Sequence, residues 1–274
     1  MKVICPICPH ACALEEGRTG LCRARKNIDG EVVSINYGKI TSIGLDPIEK
    51  KPLARFLPGS QILSVGSFGC NLACPFCQNY SIACGDESIS VRVISPEELV
   101  NMAVSMIPQG NIGLAYTYNE PLIGYEYVMD CAKLVRKHNM KNVVVTNGFI
   151  NPKPLEELLP YIDAMNIDLK GFTQEFYTKL GGKLEPVKAT IAAASKSCHV
   201  EVTSLIVPGE NDSEEEMRAL SGWLAGLDPN IPVHLSRFFP RHLYADRSPT
   251  PVETIHRLVS VAGEKLNYVY PGNC

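Results

Sequence analysis

The chain has 274 residues, 45% of them hydrophobic, so it is long enough to bury one sizeable core, and α/β barrels of this length often form a single domain. Its net charge is −3, from 26 basic and 29 acidic residues without a basic block, which argues against nucleic acid as a partner. The sequence has neither a signal-peptide core at its start nor a run of about 18 apolar residues, so we expect a cytoplasmic protein with no membrane partner.

Eleven cysteines is a high number for such a chain, and most of them fall into two groups. In a reducing compartment, clustered cysteines indicate a metal more often than a disulfide. The first group, called here the N-terminal cysteine group, is Cys5, Cys8, Cys12 and Cys22. The second group is Cys70, Cys74, Cys77 and Cys84. Two tight groups predict two separate cysteine-built sites.

The N-terminal cysteine group has the spacing C-x-x-C-x-x-x-C, followed after nine residues by its last cysteine. Four thiolates, with His10 close by, suffice for zinc or for a second four-iron cluster. A segment with so few apolar residues needs a metal to hold its shape. The sequence favours neither metal over the other, and a third alternative is a set of unliganded or disulfide-bonded thiols.

The first 60 residues differ in character from the rest. They contain the N-terminal cysteine group, several glycines and short alternating runs such as that of residues 31–35. Residues 46–53 form a polar stretch with two prolines, which is typical of a connection. We therefore predict a cysteine-rich, metal-binding extension over residues 1–60 and a second domain over residues 61–274.

From residue 61 onward, apolar runs of strand length alternate with segments of helical character. The predicted strands are 61–67, 111–117, 142–146, 163–169, 199–207 and 232–238. The predicted helices begin near Ser95, Asp212 and Pro249 or cover 122–138, 152–159 and 184–197. Such alternation implies βαβ units and a parallel sheet. Six units predict an α/β fold with a TIM-like partial (β/α)6 barrel, whose functional residues lie at the C-terminal ends of the strands.

The loop after the first barrel strand has the spacing C-x-x-x-C-x-x-C, formed by Cys70, Cys74 and Cys77. Most iron–sulfur clusters of this type take four cysteines, so three leave one iron open to bind a substrate. A zinc knuckle completed by Cys84 or a histidine is the alternative. With Phe76 before the last cysteine, the pattern resembles the radical S-adenosylmethionine (SAM) superfamily. In that family the open iron binds SAM, and one electron cleaves it to a 5′-deoxyadenosyl radical.

The next strand ends have motifs that this resemblance assigns to SAM. The family usually has a Gly-Gly-Glu-Pro turn; here the glycines are replaced, and Glu120 would hold the SAM ammonium. Asn147 in Thr-Asn-Gly, and Asp168 and Lys170 in Asp-Leu-Lys, look like the segments that line the SAM site in activases of glycyl-radical enzymes. An Asp and a Lys two residues apart on a strand share a face, so a structural ion pair inside the barrel is the alternative. Activases usually have an Asp where this chain has Val145, so a cation site would differ.

The last two predicted strands end in further candidates. Val207 begins Val-Pro-Gly-Glu-Asn-Asp, which resembles a family element that approaches the adenine, although a strand-to-helix turn capped by Asp212 explains the motif nearly as well. His234 would face the barrel interior, where it binds SAM or substrate or is a hydrogen-bonded core residue. The His and Arg residues around it suggest a polar or anionic substrate. No side chain is predicted to be catalytic beyond these cofactor-binding residues.

Three further segments, at residues 46–53, 56–60 and 236–238, together with the N-terminal cysteine group, resemble the AmmeMemoRadiSam group, which is related to the pyruvate formate-lyase activating enzyme. This resemblance covers nearly the whole chain. Those relatives usually continue to a Cys-Pro-x-Cys tail, whereas this sequence stops at Cys274, which leaves the role of the tail open.

The resemblance implies an enzyme with a [4Fe–4S] cluster and SAM as cofactors, and a small flavodoxin- or ferredoxin-type protein as electron donor. The radical would abstract hydrogen from an unidentified substrate, which is a small molecule, a peptide or a protein. One alternative is an activase that installs a glycyl radical on a partner protein. Another is a non-catalytic iron–sulfur electron carrier or a zinc scaffold.

Overall fold

The computed structural model describes residues 1–274, which form fourteen strands and eight α-helices. The strands are β1 (Val3–Ile4), β2 (Ala13–Leu14), β3 (Arg25–Ile28), β4 (Glu31–Ser34), β5 (Lys39–Ile40), β6 (Ser42–Pro47), β7 (Gln61–Gly66), β8 (Arg92–Val93), β9 (Asn111–Tyr116), β10 (Lys141–Thr146), β11 (Ala164–Asp168), β12 (His199–Ile206), β13 (Val233–Arg237) and β14 (Val269–Gly272). The α-helices are α1 (Tyr80–Ala83), α2 (Pro96–Ser105), α3 (Tyr125–Lys137), α4 (Pro152–Leu158), α5 (Gln174–Lys179), α6 (Leu184–Ala194), α7 (Glu214–Leu227) and α8 (Val252–Gly263).

The central sheet has the strand order β14-β13-β12-β11-β10-β9-β7-β6. Strands β7 and β9 to β14 run parallel, whereas β6 pairs antiparallel with β7 from Ser42–Gly66 to Pro47–Gln61. All six predicted barrel strands are confirmed, and the structure adds β6 and β14 as edges. These two edges do not pair with each other, so the barrel is partial and one side is open.

Two predicted helix starts have clear capping interactions. At α2 the Ser95 hydroxyl accepts the Glu98 N–H at 3.2 Å while the Glu98 carboxylate accepts the Ser95 N–H at 2.8 Å, which is a capping box. At α7 the N-cap is Ser213 rather than Asp212, whose carboxylate instead accepts the Gly209 N–H at 3.0 Å. The short helices α1 and α5 were not predicted, because four to six residues are too few to show helical periodicity.

The main core lies between the outer face of the sheet and the helices. On β12, Val200, Val202 and Ile206 pack outward into this core, whereas Thr203 and Leu205 face the barrel interior, as the two-residue period of a strand requires. Outward and inward faces of one strand therefore serve packing and the candidate site respectively.

A separate apolar layer fills the N-terminal end of the barrel. Ile48 and Leu53, both fully buried, pack there against Ile62, Val143 and other strand residues. The stretch 48–53 was predicted to be a connection, but it closes the bottom of the barrel, and we call it the plug segment. Residues 1–60 thus share a sheet and a core with the barrel, and their division from it at residue 60 stays a prediction.

The N-terminal module, defined as residues 1–34, consists of the hairpins β1–β2 and β3–β4. It packs against the loop that follows β7, where Cys22 and Ala24 contact Phe68 and Ile123. None of the helices in the structure is long and apolar enough to cross a membrane.

Candidate active site

A cavity of about 980 Å³ occupies the barrel above the apolar layer, and its lining includes residues of both edge strands. This volume is typical of a pocket that binds small molecules. The structure brings most of the sequence-predicted site residues together on its walls. They are Cys70, Cys74, Cys77, Glu120, Asn147, Asp168, Lys170 and His234.

The cysteine loop begins at a glycine that no other residue could replace without strain. Gly69 has a φ of +90°, and a Cβ there would lie 2.5 Å from the carbonyl oxygen of Cys22. Immediately after it, the Cys70 Sγ accepts the Leu72 N–H at 3.4 Å and the Asn147 side-chain N–H at 3.6 Å. Hydrogen bonds of this kind tune the potential of a sulfur-ligated iron site.

The donor set fits an iron–sulfur cube held at three corners. Cys70, Cys74 and Cys77 are the cysteines that line the cavity, whereas Cys84 is exposed and outside it. Burial raises the pKa of the Cys74 thiol to about 12, partly opposed by the positive charge of Lys170, so a thiolate there requires a bound cation. No three His, Cys, Asp or Glu side chains are arranged to hold a single ion; a cube, by contrast, takes one thiolate at each of several irons.

Glu120 is a buried carboxylate, 3% exposed, at the end of the β9 loop. Its Oε1 accepts the Thr146 hydroxyl at 2.6 Å and the Leu122 N–H at 3.0 Å, and its Oε2 accepts the Asn147 N–H at 2.8 Å. Burial raises the pKa of Glu120 to about 7, although these hydrogen bonds oppose the rise. A carboxylate so buried and so oriented is suited to bind a cation from the cavity.

Asp168 and Lys170 form an ion pair, which the sequence left as the alternative to a role in binding SAM. The Lys170 Nζ donates to the Asp168 Oδ2 at 2.6 Å, and both side chains line the cavity. Burial would lower the pKa of the Lys170 ammonium, but the neighbouring Asp168 and Cys74 raise it above its usual value. The lysine is therefore a fixed positive charge beside the cysteines.

Asn71 is a site residue that the sequence did not single out. It is 4% exposed, and its Oδ1 accepts the Asn147 side-chain N–H at 2.9 Å while its Nδ2 donates to the Phe149 carbonyl at 2.6 Å. It thereby joins the cysteine loop to the Thr-Asn-Gly motif, 76 residues further along the chain. Its position directly after Cys70 is the signal that could have identified it.

Val207 lies outside the cavity lining. It is fully buried in an apolar cluster with Phe76, Phe176 and Phe238, and its N–H donates to the Asn211 Oδ1 at 2.7 Å. On the same strand, Leu205 is the residue that lines the cavity. The Val-Pro-Gly motif therefore supports the end of β12 from behind.

His234 lines the cavity and is oriented by a buried glutamate. Its Nε2 donates to the Glu201 carboxylate at 2.6 Å, and its ring stacks on Tyr270 with centroids 5.3 Å apart. Glu201 also accepts the N–H groups of Ala54 and Arg55 at 2.9 and 2.7 Å. Burial alone would raise the pKa of Glu201, but hydrogen bonds, led by those from His199 and His234, lower it to about 2.

The floor of the cavity contains a second ion pair that sequence reasoning missed. The ammonium of Lys51 donates to Asp46 at 2.8 Å, and the Tyr118 hydroxyl donates to the same carboxylate oxygen at 2.8 Å. Both charged residues belong to the stretch, residues 46–53, that was predicted to be a connection. No local pattern of the sequence shows this pairing, because it depends on how the chain folds.

Comparison with known proteins relates this geometry to one superfamily. The family model described as the radical SAM superfamily matches residues 64–220. Uncharacterized protein MJ0808 of Methanocaldococcus jannaschii is 42% identical over 99% of this chain and 81% of its own length. The pyruvate formate-lyase-activating enzyme of Clostridium pasteurianum is 26% identical over 56% of this chain and 65% of its own length. Among solved structures, a domain of pyruvate-formate lyase-activating enzyme from Bacteroides vulgatus aligns with a TM-score of 0.51 at 18% identity, covering 58% of this chain and 98% of that domain.

Proposed function

Since the chain belongs to the radical SAM superfamily and is an enzyme, we propose that Cys70, Cys74 and Cys77 hold a [4Fe–4S] cluster at which SAM is cleaved. When bound, the cluster supplies the electron that splits SAM into methionine and a 5′-deoxyadenosyl radical, which abstracts hydrogen from a substrate still to be identified. The observation that supports this most strongly is the meeting of three cysteines, and no fourth, with Glu120 and Lys170 on the walls of one cavity.

The chain's own side chains would hold SAM by charge. Glu120, fixed by three hydrogen bonds, presents a carboxylate for the SAM ammonium. Lys170 presents the opposite charge for the SAM carboxylate, and its contact with Asp168 keeps it in place. Asn147 orients both Cys70 and Glu120 through its side-chain and main-chain N–H groups.

The adenine and the substrate would occupy the rest of the cavity. Leu205 offers an apolar surface for the adenine, with Val207 supporting the strand from behind rather than touching the base. His234, held by Glu201, faces the space that remains for the substrate. Closing such a site around a radical keeps water and competing donors away from it.

The test is to reconstitute the cluster anaerobically, reduce it and add SAM. We expect 5′-deoxyadenosine from the wild-type protein and from Cys198→Ser, a control that removes a free cysteine away from both groups. We expect none from a variant in which the three barrel cysteines are replaced by alanine. A wild-type protein with an intact four-iron cluster that yields no 5′-deoxyadenosine would refute the proposal. Comparing a flavodoxin, a ferredoxin and a chemical reductant in the same assay would identify the class of electron donor.

A second candidate is an activase that installs a glycyl radical on a partner protein. The open side of the barrel between β6 and β14 favours it, because Asp46 and Tyr270 of these edges both line the cavity and a loop of another protein could reach it there. The named activating enzyme among the relatives points the same way. Incubation with SAM, a reductant and a glycyl-radical enzyme encoded nearby should then give a glycyl-radical EPR signal on the partner. No signal, with 5′-deoxyadenosine still formed, would favour a small-molecule or peptide substrate.

A further inference from the structure

The N-terminal module packs directly behind the cysteine loop of the barrel. The Asn151 side chain donates to the Pro6 carbonyl at 2.7 Å, and the Asn151 N–H donates to the Ile7 carbonyl at 2.9 Å. On the other side, the carbonyl oxygen of Cys22 lies so close to Gly69 that no side chain fits between them. The module therefore touches the segments on both sides of the candidate SAM site.

The four thiols of the N-terminal cysteine group are free and near one another. Three of them, those of Cys5, Cys8 and Cys22, are at least 93% buried. Cys12 packs against the same small apolar cluster as Cys5, and its Sγ lies 3.6 Å from the position that a Cβ on Gly20 would take, two residues before Cys22. The main chain closes the group as well, since the Cys5 N–H donates to the Cys12 carbonyl at 2.9 Å.

The module has few buried apolar side chains of its own, and its other support comes from contacts with the barrel, such as the ion pair of Arg25 with Glu126. Its own apolar cluster consists of three buried residues, Cys5, Ile7 and Leu14. A core of this size cannot offset the conformational entropy of about thirty ordered residues. Small modules with several close thiols gain the missing stability from a bound metal.

Asn71 connects this group to the candidate SAM site. Its main-chain carbonyl accepts the Nε2–H of His10, two residues after Cys8, at 2.8 Å. Its Oδ1 accepts the Asn147 side-chain N–H, which also donates to the Cys70 Sγ. Through the Asn147 main chain the same path reaches Glu120. Asn71 thus contacts the N-terminal module at His10 and, through Asn147, Cys70 of the barrel group.

We propose that the N-terminal cysteine group binds a second metal centre, an iron–sulfur cluster, since its thiols are not arranged around a single ion, and that Asn71 couples this centre to the SAM site. Asn71 acts as a positioning residue: it fixes Asn147, which in turn orients Cys70 and Glu120. The coupling, but not the second centre itself, rests on the proposed function. Residues behind metal ligands commonly change metal affinity or activity by about 10–100-fold when they are removed.

The second centre is tested by metal analysis of a variant whose three barrel cysteines are replaced by alanine. We expect this variant to keep about four irons per chain, whereas one zinc per chain in their place would overturn the proposed cluster. Further replacement by Cys8→Ser should release that metal, whereas Cys198→Ser should not. A variant that retains its circular dichroism spectrum but holds no metal would overturn the second centre, even if the wild-type protein cleaves SAM.

If the triple variant does not fold, the comparison of Cys8→Ser with Cys198→Ser in the otherwise intact protein decides the point. If Cys8→Ser contains less metal than the wild type while Cys198→Ser does not, the second centre is supported. Equal metal content in both variants overturns it.

The coupling is tested with Asn71→Ala, and Asn111→Ala is its matched control. Asn111 is also a buried amide with several hydrogen bonds, but it lies at the start of β9, away from both cysteine groups. We expect Asn71→Ala to weaken SAM binding about tenfold and to shift the EPR spectrum of the reduced barrel cluster. Asn111→Ala should change neither. An Asn71→Ala protein whose SAM affinity and EPR spectrum equal those of the wild type would overturn the coupling.

Discussion

At the residue scale, the site depends on a few positions that only one type of residue can occupy. Gly69 is the clearest of them, because it has both a positive φ and a carbonyl oxygen where a Cβ would be. Gly209 has a similar φ of +75° but no atom within 4 Å of its Cβ position. A substitution at Gly209 therefore measures the cost of backbone strain alone, whereas one at Gly69 adds the cost of a steric clash.

Substitution of these glycines by alanine should have unequal effects. Gly209→Ala should cost about 1 kcal/mol of unfolding free energy, from backbone strain alone. Gly69→Ala should cost about 3 kcal/mol, because the cysteine loop must move away from Cys22, and it should lower the iron content as well. Denaturant unfolding and iron analysis measure both effects. Equal costs for the two variants would mean that the loop does not press on the N-terminal module.

The carboxylate of Glu120 gives the second prediction at this scale. Glu120→Gln removes the charge proposed for the SAM ammonium, so we expect SAM to bind about tenfold more weakly, as expected for the loss of a charge-assisted hydrogen bond. Glu216→Gln is the control, since Glu216 also accepts a main-chain N–H, from Phe172, but does not line the cavity. Equilibrium binding of SAM to the reconstituted proteins provides the measurement. Unchanged affinity in Glu120→Gln would remove this residue from the SAM site.

At the scale of elements, the plug segment and the sheet are joined by Glu201. This carboxylate of β12 accepts the N–H groups that follow the plug segment, at Ala54 and Arg55, as well as His234 of β13. It is fully buried, and the hydrogen bonds that it accepts offset the cost of burying its charge. Protonation of Glu201 should therefore loosen the floor of the cavity.

The pH dependence follows from the sign of this shift. The folded pKa of about 2 is below the usual 4.5, so the contribution of Glu201 to stability is fully present above about pH 4.5 and is lost as the pH falls towards 2. The amount is roughly 3 kcal/mol. In Glu201→Gln, the loss of stability between pH 5 and pH 3 should be smaller by roughly 2 kcal/mol than in the wild type or in the exposed control Glu175→Gln, because the rest of the contribution is lost below pH 3. Urea unfolding across this range is the measurement, and parallel pH profiles would contradict the assignment.

The sequence correctly predicted the helices and strands that a local pattern of apolar or capping residues is enough to define. Strands buried on both faces and helices that begin at Ser95 or near Ser213 have strong local signals, and all of them were found. The plug segment was missed because its polar residues, such as Lys51, are buried through a partner, Asp46, and local patterns do not show pairing. Val207 was predicted to approach the adenine because its motif resembles a family element. The direction in which its side chain points depends on where β12 ends, and the motif alone does not show this.

The candidate site was predictable to a similar degree. Its cysteines, Glu120, Asp168 and Lys170 lie within short motifs, and these residues were found together on one cavity. Asn71 and Glu201 were not predicted, because each acts through contacts with residues more than 30 positions away. Such residues become visible only when the fold brings the segments together.

At the scale of the whole molecule, the N-terminal residues and the barrel form one body. Strand β6 extends the barrel sheet, the plug segment fills its interior, and the N-terminal module supports the cysteine loop. We therefore expect a single cooperative unfolding transition, although the sequence suggested two regions.

Leu53→Ala tests this unity. It removes a fully buried side chain of the plug segment, so it should cost about 2–5 kcal/mol and lower the midpoint of the whole transition. The control is Leu21→Ala, which removes a side chain that is 65% exposed in the same region of the chain. Circular dichroism of the helices, which belong to the barrel, provides the measurement. If Leu53→Ala left the unfolding of the helices unchanged, the plug segment would be independent of the barrel.

The central claim, that three thiolates leave one iron free to bind SAM, is tested most directly by electron–nuclear double resonance on the reduced, reconstituted protein. With SAM labelled at its amino nitrogen and carboxylate oxygens, we expect hyperfine coupling of both labels to the cluster. We also expect Cys70→Ala to abolish the four-iron signal of the barrel site. A four-iron cluster at this site that shows no coupling to either label, with a fourth protein side chain bound instead, would contradict the account.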